Sequence, residues 1–375
     1  MRPRHTFLLD DRPRVVENCE YLMINSLNIS NFRGFRDIEL SRLSLINVIV
    51  GDNGSGKTAL LESLFLTGGI GPEIYLRIRA WRGAGDKIQF GLDRDQYEAL
   101  WKEIFPALDQ NKAAILSFID SESGARELRI YYDESQTTLM PMDMNVRTSY
   151  ESGDIHPITF EWRTEKGEPQ KIAATVTSQG IIQLPQTTKL YPITFFAATS
   201  LVSSDENAKR FSFLSRRKRQ GRVVAIIRSL FPLVQDISVE IVAGGPALFA
   251  SVENLDEKLA VGSLSGGLGK YLGYLIAIAS NPKGVVLIDE IENGFFYKKY
   301  GDVWSGLTTL AREHETQLFI STHSFECLNA ALPEVEKDPS LFSLFRTERK
   351  QRECIVRAFG GKDFLAGLEQ RIDFR

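Results

Sequence analysis

The stretch GDNGSGKT, Gly51–Thr58, lies between one apolar run, LSLINVIV, and a second that begins at Ala59. Few eight-residue segments restrict a fold as strongly. It satisfies the pattern G-x-x-x-x-G-K-[ST], in which glycines take backbone angles closed to other residues, so that successive N–H groups turn inward around an anion. The run before it reads as a buried strand. The run after it, Ala59–Thr67, reads as a helix whose positive N-terminus adds to the same nest. Asn53, Gly54, Ser55 and Gly56 are then candidates to cradle phosphate, Lys57 to reach the β- and γ-phosphates of a nucleotide, and Thr58 to offer its hydroxyl to Mg2+. A glycine turn with an incidental lysine is the competing reading, and the flanking strand and helix disfavour it.

A loop of this kind needs a sheet to stand on, and two more buried strands are readable near the other end of the chain. GVVLIDE, Gly284–Glu290, delivers two carboxylates at the end of an apolar strand, where an open α/β sheet binds ligands. Asp289 is placed to hold Mg2+ through water. Glu290, on the opposite side of the strand, is placed to accept a proton from an attacking water. LFISTHS, Leu318–Ser324, ends a second such strand in His323, which a parallel sheet would bring toward the same phosphates. These features predict an α/β protein with a mostly parallel core sheet. Between them, from about Arg77 to Pro192, hairpin-like pairs such as AAILSFIDSESGARELRIYY and ITFEWRTEKGEPQKIAATV predict an antiparallel β portion and a compact inserted lid. The expected division is an N-terminal extension over 1–21, a first core part over 22–76, the insertion over 77–192 and a second core part over 193–375.

Another stretch, VGSLSGGLGKYLGYLIAIAS, opens like a linker and continues like a core helix. The apolar helix directly downstream argues for anchorage. Ser265 would supply a hydroxyl, and Gly266 and Gly267 exposed backbone N–H groups, at the positive end of that helix. The surface so formed fits a phosphate.

Taken in order, ISNFRGF, GDNGSGKT, SLSGGLGK, LIDEIENG and STHS resemble the ATP-binding-cassette ATPases of the SMC and OLD (overcoming lysogenization defect) type, from about Met23 to the C-terminus. The resemblance implies an ABC-type ATPase head that uses ATP and Mg2+ and dimerises around two nucleotides, each signature touching the γ-phosphate held by the other head. It also implies that Arg33 in NFRGF reaches adenine or phosphate, with a surface ion pair as the alternative. The chain departs from related OLD-type heads after E-N-G, where it has GFFYKKY, and Gln89 is a weak candidate for the glutamine loop that could equally be a strand-edge residue. Long heptads for SMC arms are absent, and the residues after His323 do not read as a nuclease. A separate effector is therefore expected, in bacterial defence against phage or in DNA maintenance. A P-loop kinase or nucleotide-processing enzyme, and an ATP-binding scaffold with little turnover, remain as alternatives.

Composition sets the other bounds. The formal charge is −3, from 45 basic and 48 acidic residues, so no global field recommends a nucleic acid or an acidic membrane. The one local exception is RFSFLSRRKRQGR, where Arg216, Arg217, Lys218 and Arg219 could meet phosphate backbones, with Phe211 and Phe213 stacking or simply packing. A solvated helix end or a protein-docking surface is the alternative. Three scattered cysteines, Cys19, Cys327 and Cys354, fit packing roles in a cytoplasmic protein, and no apolar run approaches a membrane span.

Overall fold

The strand Ile46–Val50 is buried at all five positions, as an uninterrupted apolar run inside a two-faced parallel sheet should be. The computed structural model describes residues 23–69, 71–83, 94–136, 156–165, 167–176, 182–183, 191–199 and 204–374. The N-terminal extension, Cys19 and Gln89 lie outside the described residues. The strand order around Ile46–Val50 is Ile193–Phe196, Val285–Ile288, Gln317–Ser321, Ile46–Val50, Phe342–Lys350 and Glu353–Gly360. The first five are parallel, and the last returns through a tight hairpin.

This sheet divides two cores. Val48, Val286, Ile320 and Leu344 face one, and Ile49, Leu287, Phe319 and Phe345 the other, as the two-residue period of a strand requires. The helix after the phosphate loop, Lys57–Gly68, lies on the second side and buries residues around nearly its whole circumference. Such a helix needs apolar partners on both flanks. The second partner is a six-stranded antiparallel sheet, ordered Phe35–Ser41, Ile24–Phe32, Ala114–Asp120, Gly124–Tyr132, Ile158–Thr164 and Gln170–Ala173. Residues 77–192 thus supply four of its strands, and both expected hairpins form there. Ile29 pairs with Ile38 on one side and Leu116 on the other.

On the first side, the helix Gly266–Ser280 packs against helices Ser204–Arg216, Gln220–Leu230 and Tyr300–His314. A three-stranded sheet, Val234–Val242, Gly245–Val252 and Leu259–Ala260, leads into it. Among the described residues no helix is long and apolar enough to cross a membrane.

One side chain joins the two large sheets. Gln317 is fully buried; its Oε1 accepts from Ile24 N–H at 2.9 Å, and its Nε2 donates to the carbonyls of Ile24 at 3.0 Å and Ser44 at 2.9 Å. Gln317→Leu keeps the volume and strands three backbone groups without partners. We expect a loss of about 2–4 kcal/mol, read as a lower denaturant midpoint. An unchanged midpoint would mean that those groups find water instead.

Candidate functional site

Three glycines shape the loop that leaves Ile46–Val50. Gly51, Gly54 and Gly56 have φ of 143°, 76° and 108°, in the region where a Cβ is strained. Gly56 caps the helix Lys57–Gly68, so the first-turn N–H groups open into a cleft of about 850 Å3. Asn53, Gly54, Gly56, Lys57, Thr58 and Glu290 all line it. Ser55 does not: it is buried, and its hydroxyl bonds that of Thr347 at 2.6 Å.

The Lys57 ammonium folds back on the loop, donating to the carbonyls of Gly51 at 2.7 Å and Asp52 at 3.0 Å. Burial lowers its pKa, against the pull of Asp289, Glu290, Glu292 and Asp52. Asp289, leaving the strand Val285–Ile288, accepts from the hydroxyl of Thr58 at 2.9 Å and of Ser321 at 2.6 Å. Burial raises the Asp289 pKa; the two hydroxyls oppose that rise, and the Glu290 and Glu62 charges add to it. Three parallel strands ending side by side thus bring together Thr58, Ser321 and Asp289, as the switch-point geometry predicts.

Glu290 takes φ of 52°. Its N–H donates to Ser321 Oγ at 2.9 Å, and Asn293 Nδ2 donates to its Oε2 at 2.6 Å. His323 stands with Nδ1 4.0 Å from Glu290 Oε1 but 2.9 Å from Oε1 of buried Glu292, which also accepts the His323 N–H. His323 is therefore beside the carboxylates and not among the residues that line the cleft. Arg33 does line it, in a buried ion pair with Glu62 at 2.7 Å rather than a surface one. The same Glu62 holds Arg82 at 2.7 Å.

Ser265, Gly266 and Gly267 are not brought to this cleft. Ser265 Oγ caps its helix by accepting from Leu268 N–H at 3.3 Å. Gly266 faces open space, whereas a Cβ on Gly267 would collide with the carbonyl of Gly294. The signature is thereby seated on the loop that continues from Glu290 and Glu292. In the basic run, Lys209 pairs with Asp205, Arg210 with Glu206 and Arg222 with Glu313. Phe211 is buried, and Phe213 lies under the Arg217 guanidinium at 3.6 Å. Arg216, Arg217, Lys218 and Arg219 sit exposed at the turn between two helices.

A phosphate loop on a mostly parallel sheet, carboxylates on a neighbouring strand end and an antiparallel sheet over the loop helix together define an ABC-type ATPase head. The family model described as AAA ATPase domain (AAA_15) matches residues 23–212, and the chain belongs to that family. It is 23% identical to an ATP/GTP phosphatase of Helicobacter pylori, over 91% of this chain and 96% of that protein. A 47-residue segment is 53% identical to the DNA replication and repair protein RecF of Idiomarina loihiensis, covering 12% of this chain and only 13% of RecF. Among solved structures, an Smc head domain with an extended coiled coil, bound to the C-terminal domain of ScpA derived from Pyrococcus furiosus, aligns over 92% of this chain and 98% of that one, with a TM-score of 0.48 and 13% identity. The SMC head domain from Thermotoga maritima aligns over 90% and 98%, with a TM-score of 0.41 and 13% identity.

Sequence reasoning missed Arg82 and Thr347, gave Glu292 no role of its own within LIDEIENG, and assigned Cys354 only to packing. It also missed Glu62, which carried a signal as a charge in an otherwise apolar helix. It is 1% exposed and neutralises two guanidinium groups on the cleft wall. Glu62→Ala should destabilise the protein by about 3–5 kcal/mol, because it leaves Arg33 buried without a counter-charge. A melting temperature like that of the parent would show that Arg33 escapes to solvent.

Proposed function

We propose that the chain is an ATP-driven switch: two copies close head to head on two ATP molecules, and hydrolysis reopens them. The observation that carries this reading is the position of Ser265–Gly267. They stand at a helix N-terminus, whose positive end suits an anion, outside the chain's own cleft and with Gly266 open to solvent. A second copy can bring a γ-phosphate to that surface.

Within each cleft, the loop N–H groups and Lys57 grip the β- and γ-phosphates, and Lys57 exchanges two carbonyls for phosphate oxygens. Thr58 and Asp289 are hard oxygen donors already in contact, a fit for Mg2+. Thr58 and Asp289 would hold that ion, and it would supply positive charge to offset that of the phosphates. Glu290, oriented by Asn293, takes a proton from the attacking water, and His323, steadied by Glu292, stands toward the γ-phosphate side. The motif likeness to OLD-type heads supports ATP over GTP. It also supports control of a separate effector in the cytoplasm, in defence against phage or in DNA maintenance.

The test of closure is complementation. Lys57→Ala loses its own grip and keeps its signature; Ser265→Arg has the opposite defect. Each alone should hydrolyse ATP at least about 100-fold more slowly than the parent. Mixing them should restore turnover through one intact composite site per heterodimer. Heterodimers that form and stay inactive would overturn action in trans, and phosphate transfer to a small acceptor would point to a kinase.

The exposed turn Arg216–Arg219 supports a nucleic-acid contact in the closed state. Reversing these four residues to glutamate should abolish DNA or RNA affinity. The slope of log affinity against log salt should become shallower by roughly 3–4 for duplex DNA. Equal binding by the reversed protein would make the turn a protein-docking or solubility feature.

A further inference from the structure

The C-terminal hairpin is bound to the phosphate loop at several points, although about 290 residues separate them in sequence. The strand Phe342–Lys350 pairs directly with Ile46–Val50. From it, Thr347 Oγ1 donates to the Val50 carbonyl at 3.0 Å and bonds the Ser55 hydroxyl at 2.6 Å. On the return strand, Cys354 N–H donates to the Gly34 carbonyl at 2.7 Å. The Cys354 side chain fills the space beside two glycines: a Cβ on Gly34 would come within 2.6 Å of Sγ, and one on Gly56 within 3.3 Å. Arg349 is the cross-strand neighbour of Cys354. The turn Lys350–Glu353 therefore has a fixed place at the edge of the cleft.

Two arginines of this turn region, Arg349 and Arg352, line the cleft. Among the described residues, the other arginines of the cleft wall and of the hairpin are neutralised. Arg33 and Arg82 share Glu62, Arg346 and Arg357 share Glu348, and Arg36 pairs with Glu353. Among the described residues, no carboxylate pairs with Arg349 or Arg352, and both are exposed. The cleft wall thus carries two uncommitted guanidinium groups facing a space also bounded by the apolar side chains of Phe105 and Leu108.

We propose that Arg349 and Arg352 are nucleotide-binding residues that hold the α-phosphate and nucleoside half of ATP. This rests on the assignment of the cleft to ATP. The loop N–H groups and Lys57 take the β- and γ-phosphates, which leaves the α-phosphate, ribose and base for the rest of the wall. A guanidinium serves both needs: it pairs with a phosphate through its fork of donors, and its plane stacks on the face of a base. Arginines held by a hairpin that also braces Ser55 and Gly56 are fixed beside the phosphate loop, so one hairpin steadies the loop and carries the grip on the nucleotide.

The double variant Arg349→Ala/Arg352→Ala separates this role from the phosphate loop itself. Binding of MgATP and of inorganic pyrophosphate, which fills only the β- and γ-positions, is measured by calorimetry at about 0.15 M salt, where exposed charges beyond a Debye length are screened. ATP affinity should fall about tenfold or more, with pyrophosphate affinity within about twofold of the parent, a result that also shows the loop still folded. An unchanged ATP affinity would overturn the proposal and leave the ATP reading of the cleft intact. Equal losses for both ligands would overturn it too, since the arginines would then act on the phosphate loop. A parent chain that binds neither ligand would sink the ATP reading along with it.

Discussion

A phosphate nest works only if its N–H groups stay free for the ligand while the rest of the loop is held still. In this chain the holding is done from behind, by the C-terminal hairpin. A Cβ on Gly51 would collide with the backbone and side chain of Thr347, and Gly56 lies against Cys354. These contacts are backbone on backbone or backbone on a small side chain, so the loop has little room to move away from them. The glycines consequently serve twice. Positive φ shapes the nest, and the missing side chains let the hairpin come close enough to brace it.

Around that nest, burial has set charges that disfavour their own ionised forms. Lys57 is lowered and Asp289 raised, each chiefly by desolvation, and carboxylates crowd the side where a triphosphate belongs. A phosphate placed against Lys57, or a cation against Asp289, favours the charged form of each. A ligand of opposite charge would therefore offset part of the desolvation that each group bears. Ser321 is the hinge of this arrangement, because one hydroxyl donates to Asp289 and accepts the N–H of Glu290. The two carboxylates, adjacent in the chain, are thereby held in different surroundings by a residue on the next strand.

Much of this was legible in the sequence. The glycine pattern, the two apolar runs ending in Asp289–Glu290 and in His323, and the two hairpins are local signals, carried by period and spacing within ten residues or so. The long-range partners were not. Nothing near Glu62 announces that its counter-charges are Arg33 and Arg82, and Thr347 and Cys354 are unremarkable members of alternating strands until the fold places them beside glycines. The hairpins of residues 114–173 were visible as pairs, but their continuation of the sheet begun by Ile24–Ser41 depends on matching apolar faces, a property of two segments together. Arg33 shows the same limit: a surface ion pair and a ligand contact were both open, and the buried Glu62 that decides its surroundings lies 29 positions away.

The signature and the carboxylates, separated in sequence by one helix and one short strand, are mechanically one unit. Glu290 is a non-glycine residue in the left-handed region, a conformation that costs roughly 1–2 kcal/mol, so its surroundings must hold it there. Ser321, Asn293 and the pair Glu292–His323 do so. The loop they fix runs on to Gly294, whose carbonyl sits where a side chain on Gly267 would be, and to Phe295, which packs on Tyr271 of the signature helix. A displacement of Glu290 would press through Gly294 onto Gly267. A packed backbone contact transmits such a displacement because it cannot absorb it. The surface at Ser265–Gly267 is in this way packed directly on the loop that carries Glu290.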